Sequence, residues 1–132
     1  MFLRELSEDE QKVFLNLAYT LMNVNGEITK EEEATFFNYQ GELRVDLSKA
    51  QVVDFAKEVS LLSDAPLSKK KKIFFELLAM AMADHEYDEH ERRFMRTMQD
   101  KFGISDEVAI KIEEVIQKIV DVYRELNCIV SE

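Results

Sequence analysis

Apolar residues recur at helical spacing along nearly the whole chain, and this pattern predicts six helices. Three helices are expected to begin at capping boxes, in which a Ser, Thr or Asp precedes a Glu by three residues. These boxes open the first, second and fifth helices and are Ser7–Glu10, Thr29–Glu32 and Asp88–Glu91. The stripe of the first helix then continues through Val13, Phe14, Leu17, Leu21 and Val24.

The remaining helices are predicted from similar signals. The third is expected between Asp46 or Ser48 and Ser63, and the fourth from Ser68. The fourth is apolar on every face from Ile73 to Ala83 apart from Glu76, which is typical of a helix surrounded by others. The fifth is predicted to stop at Gly103 and the sixth to follow Ser105, with a broad apolar stripe reaching Leu126.

Part of the chain repeats itself. Residues 21–37 align with residues 80–96 without a gap, so that Asn25 corresponds to Asp84 and Glu32 to Glu91. Each segment reads as a helix end, an acidic turn and a helix start. We therefore predict an all-α, compact bundle of about six helices in a single domain, residues 1–132, built from two three-helix halves. The halves span about residues 7–63 and 67–127, and a pseudo-twofold axis is expected to relate them.

Composition and charge limit the classes of partner that the chain is expected to bind. The net charge of −10 argues against nucleic acid and favours cations or basic protein surfaces. The single cysteine, Cys128, cannot form an internal disulfide, which favours a reducing compartment and a cytoplasmic location. No apolar stretch is long enough to predict a transmembrane segment.

The two acidic turns are the candidate sites. Oxygen ligands suit a hard divalent cation, here calcium, magnesium or manganese, although no cofactor is certain from the sequence. The candidate metal ligands are Asp84, Asp88 and Glu91 in the second turn and Asn25 and Glu32 in the first. The candidate partner-binding residues are Glu27, Glu86 and His85. Glu32 and Glu91 also have a structural explanation, as the returning carboxylates of their capping boxes.

Two familiar metal motifs do not fit. A calcium loop of the EF-hand type would place Leu21 or Met80 at its first position, where a carboxylate is required. The histidines of the second turn, His85 and His90, are five residues apart, whereas helical zinc-protease motifs pair histidines four apart.

A hydrophobic helix ending in Ala-x-Ala-Asp-Gly, then an apolar residue and a helix-opening Glu, is typical of the TerB-like domain. This family is named for a tellurite-resistance protein and occurs also in membrane-anchored DnaJ-type co-chaperones. The chain resembles it most in "MAMADHEYDEHE", with Asp84 and Glu91 at the acidic positions, and also in "NVNGEITKEE". Two departures are Asn25 in place of Asp and His85 in place of Gly.

The resemblance implies a non-enzymatic stress-response domain with paired acidic turns suspected of binding a divalent metal. A protein partner is expected, with possible peripheral association with a membrane complex. Two alternatives stay open: a metal-dependent hydrolase and a plain structural dimerisation domain. The hydrolase would use Asp84, Asp88, His85 and His90. The oligomeric state and the role of the basic run Lys69 to Lys72 are not decided by the sequence.

Overall fold

The computed structural model describes residues 1–24, 26, 28–83 and 87–131. Within these ranges the chain is all-α, and no strand is present. The described residues form six α-helices and three single 3-10 turns. The helices are α1 Glu8–Met22, α2 Lys30–Asn38, α3 Phe55–Ser60, α4 Leu67–Met82, α5 Glu89–Phe102 and α6 Asp106–Val130. The 3-10 turns are Leu3–Glu5, Tyr39–Gly41 and Leu47–Lys49.

The predicted helix boundaries are confirmed where side chains cap the backbone. All three capping boxes are complete, with both reciprocal hydrogen bonds present at α1, α2 and α5. Ser105 caps α6 by accepting from the backbone N–H of Val108. Gly103 ends α5 in the left-handed conformation, at φ 67°, which glycine adopts without a steric penalty. Local chemistry therefore fixes these ends.

The third helix is much shorter than predicted. It spans only Phe55–Ser60, and Asp46 caps a 3-10 turn instead of a long helix. Residues 50–54 are without regular structure, and side chains of α1 bind two of their backbone N–H groups. The side-chain amide oxygen Oδ1 of Asn16 accepts from the Gln51 N–H, and the Thr20 hydroxyl accepts from the Val53 N–H. These polar side chains of α1 replace helical hydrogen bonds, and the sequence pattern gave no sign of them.

The fourth helix is central, as predicted. It contacts α1, α2, α5 and α6, and both Leu77 and Leu78 are buried in the core. Its one buried charge, Glu76, accepts a hydrogen bond from the Phe2 N–H at 2.9 Å. The carboxylate of α4 therefore holds the N-terminal segment against the bundle, which explains an acidic residue on an otherwise apolar helix.

The basic run at the start of α4 makes contacts within the chain. Lys69 pairs with Glu10 of α1 at 3.1 Å, and Lys72 pairs with Glu5 at 2.7 Å. The Lys70 ammonium lies over the ring of Phe102. Part of the run thus joins α4 to its neighbours, although pairs as accessible as these contribute little stability.

The last helix is only half covered by the bundle. Ile116 is its one buried residue, and every residue from 121 to 130 is exposed. The predicted stripe exists, but most of it faces away from the core. No helix in the described part of the chain is long and apolar enough to cross a bilayer.

Candidate functional site

The two acidic turns share one backbone arrangement at their helix starts. In the first, the Thr29 hydroxyl accepts from the Glu32 N–H, and the Glu32 carboxylate accepts from the Thr29 N–H, both at 3.1 Å. In the second, the Asp88 carboxylate accepts from the Glu91 N–H at 2.9 Å, and Glu91 Oε1 accepts from the Asp88 N–H at 3.3 Å. The capping roles expected for Glu32 and Glu91 are therefore present.

The bundle brings these two glutamates together in its interior. Each is 1% exposed. Burial raises the pKa of Glu91 to about 8; the Asp88 N–H lowers it, whereas the negative charges of Glu32 and Asp88 raise it. Two interacting carboxylates in an environment that excludes water cannot both ionise cheaply, because like charges repel more strongly where the effective dielectric constant is low. At neutral pH the pair therefore holds a proton.

One oxygen of this pair is unsatisfied. Glu91 Oε2 is buried and meets no N–H or O–H donor among the residues that the structure describes. A hydrogen bond between Glu91 and Glu32 contributes to the raised pKa, and such a bond requires a proton on one of the two carboxyls. A proton or a cation is the simplest means of compensating this oxygen.

Several predicted site residues lie outside the described ranges. These are Asn25, Glu27, Asp84, His85 and Glu86. Of the predicted metal ligands, Asp88, Glu91 and Glu32 are described, and the fold joins Glu91 to both of the others. Within the described residues alone, no three His, Cys, Asp or Glu side chains form a group suited to a metal ion. The predicted site therefore depends on Asn25 and Asp84 for further ligands.

Beside the pair, the second turn continues into a mixed-charge surface. The Arg92 guanidinium stacks on the ring of Tyr87 at 4.3 Å, and Arg92 also pairs with Glu113 of α6 at 3.6 Å. Burial raises the pKa of the Tyr87 hydroxyl, which therefore stays protonated at neutral pH.

Of the four residues of the hydrolase alternative, Asp88 and His90 are described; Asp88 caps α5, and His90 is exposed.

The meeting of Glu32 and Glu91 was not predicted, although both residues were singled out. The signal was present in the repeat, because the alignment of residues 21–37 with 80–96 places these glutamates at equivalent positions. The predicted pseudo-twofold axis, if present, would bring equivalent residues of the two halves near one another. The stacking of Arg92 on Tyr87 and its pairing with Glu113 had no such signal in the sequence.

Comparison with known proteins gives one match. A family model described as tellurite resistance protein TerB matches residues 4–114, which is most of the chain and includes both turns. No curated protein and no solved structure matches.

Proposed function

Because this chain belongs to the TerB family, we propose that it is a non-enzymatic interaction module whose two acidic turns share one divalent-cation site. The observation that carries the proposal is the buried pair of Glu32 and Glu91, with one carboxylate oxygen left without a donor. A divalent cation would compensate both charges where a proton compensates only one. Calcium, magnesium and manganese all suit carboxylate ligands.

The ligands are drawn from both turns. Glu32 and Glu91 would contribute carboxylate oxygens, and Asp88 lies next to Glu91 through its cap. Asn25 and Asp84, which end the preceding segments in the sequence, complete the proposed set. The binding is weak, at a dissociation constant no tighter than about 10⁻⁴ M, because the site lacks the first-position carboxylate of a true calcium loop. A proton on Glu91 competes with the cation for the same oxygen.

An NMR titration with calcium, and with manganese as a broadening probe, tests this site. We expect the first changes at residues 84–91, followed by the start of α2 around Glu32. Asp84→Asn should weaken binding, and Asn25→Asp should tighten it because the change adds a carboxylate. Asp46→Asn is a matched control, since Asp46 is exposed and caps the 3-10 turn Leu47–Lys49, which belongs to neither acidic turn.

If both turns stay unchanged at millimolar metal, the cation proposal fails, and the pair is then a proton-holding structural element only. If the Asp46 variant weakens binding as much as the Asp84 variant, the cation is held by overall negative charge and by no particular site.

The same turns are proposed to dock a protein partner through Glu27, Glu86 and His85. Their negative charge suits a basic surface. The test compares affinity capture by the unaltered chain, by Glu27→Lys/Glu86→Lys, and by Glu107→Lys/Glu114→Lys. The last variant makes the same charge change at exposed positions of α6. A protein lost only from the first variant supports docking at the turns, whereas equal loss from both variants contradicts it.

A further inference from the structure

The exposed side of α6 has the residue spacing of a coiled-coil seam. From residue 112 onward, apolar residues follow one another at alternating intervals of three and four, which is the a and d pattern of a heptad repeat. The members of this seam are Ile112, Val115, Ile119, Val122, Leu126 and Ile129. A strict three-four alternation maintained over five intervals is more regular than the packing of a helix onto its own bundle requires.

Within the residues that the structure describes, the bundle leaves most of this seam exposed. Val122 is 63% exposed and Ile129 is 64% exposed, and Val115 and Leu126 are about half exposed. The N-terminal part of the seam is the more covered, since Ile112 is partly buried and Ile119 is 37% exposed. Contiguous exposed apolar surface of this kind marks an interaction site in soluble proteins. A helix with such a seam is complemented by a second helix with the same spacing.

We infer that α6 pairs with α6 of a second copy of this chain in an antiparallel coiled coil. The flanking charges favour this occupant and this direction. When Ile119 faces the partner's Val122, Lys118 comes within about 3 Å along the axis of the partner's Glu125, because the rise is about 1.5 Å per residue. The twofold symmetry of a dimer forms the same ion pair twice.

The parallel alternative lacks these pairs. In a parallel coiled coil, the residue before each a position lies beside the residue after the partner's d position. Lys118 would then face the partner's Tyr123, and Glu125 would face the partner's Val130, so that both charges are left without a counter-charge. Self-association through this seam does not involve the acidic turns. It would place the interface of the dimerisation domain, the alternative that the sequence left open, on α6.

Sedimentation velocity over protein concentrations from about 5 µM to about 500 µM tests the pairing. We expect a species of twice the 15.5 kDa chain mass at the upper concentrations. Val122→Glu should abolish it, because a charge would enter the seam. Ile110→Glu should not, since Ile110 is similarly exposed, at 54%, but lies outside the seam. Circular dichroism of both variants verifies that the fold is kept.

A charge swap tests the direction. Lys118→Glu should raise the dimer dissociation constant about tenfold, because two attractive pairs become repulsive. The double variant Lys118→Glu/Glu125→Lys should restore it, since each pair is re-formed with its signs exchanged. A chain that stays monomeric throughout, or a dimer unaffected by Val122→Glu, overturns the inference. A dimer weakened by the single change and not restored by the double change overturns the antiparallel arrangement.

Discussion

Replacing Glu91 by glutamine isolates the buried carboxyl pair. Glutamine keeps the shape and the side-chain oxygen, and it serves at this position of a capping box as glutamate does. The bond from the Asp88 N–H to the side chain is therefore retained. What changes is the charge: the new amide donates to Glu32 without needing a proton. The substitution removes the titration and leaves the helix start intact.

The size of the effect follows from the pKa of Glu91, which burial raises from 4.5 to about 8. Between these values the native state holds a proton that the unfolded state has lost. The stabilisation is therefore complete below about pH 4.5 and is lost as the pH rises through about 8. The slope is at most about 1.4 kcal/mol per pH unit, and the whole loss is roughly 4 to 5 kcal/mol. Since the negative charges of Glu32 and Asp88 also raise the pKa of Glu91, the midpoint reflects these neighbouring carboxylates as well as Glu91 itself.

The measurement is the free energy of unfolding by urea, from pH 5 to pH 9, with a chelator present. We expect the unaltered chain to lose stability with rising pH and Glu91→Gln to be nearly flat, so that the two curves diverge progressively from about pH 5 to about pH 8. Glu10→Gln is the matched control. Glu10 has the same position in a capping box, but its pKa is lowered, with burial opposed by hydrogen bonds from Ser7 and Lys69, so it does not titrate in this range. Parallel curves for the unaltered chain and Glu91→Gln would refute the shared-proton account.

Three further predictions follow from other parts of the structure. Leu77→Ala should cost roughly 2 to 5 kcal/mol in urea unfolding because Leu77 is fully buried in α4, whereas Leu61→Ala, at a position 66% exposed, should cost little. Gly103→Ala should lower the free energy of unfolding by roughly 1 to 2 kcal/mol, since the backbone is left-handed there. Gly41→Ala should not lower it, because φ is not positive at Gly41 and an added Cβ meets no atom within 4 Å; equal losses would contradict the argument. If calcium displaces the proton of the pair, its apparent affinity by calorimetry should fall about tenfold for each pH unit below about 8, and a pH-independent affinity would show that no proton is displaced.

Some of the fold could be predicted because its determinants lie close together along the chain. A capping box joins residues three apart, and a left-handed glycine acts on its own helix end. The sequence therefore predicted where α1, α2, α5 and α6 begin and that α5 ends at Gly103. The central position of α4 was readable for a similar reason, since its apolar residues cover every face.

Other features depended on contacts between distant residues. The third helix was overestimated because Asn16 and Thr20, more than thirty residues away, bind the backbone that a longer helix would have used. Likewise, an apolar stripe in the sequence does not show which neighbour will cover it. Most of the stripe on α6 is exposed among the residues that the structure describes.

The candidate site shows the same division. The sequence determined the residue types and their caps: it placed a glutamate at the third position of each of two equivalent helices, where a capping bond holds its carboxylate. Only the tertiary structure decided that Glu32 and Glu91 are buried side by side. A local pattern fixes a carboxylate relative to its own helix, whereas its pKa depends on what the packing of other helices brings next to it and on how much water that packing removes.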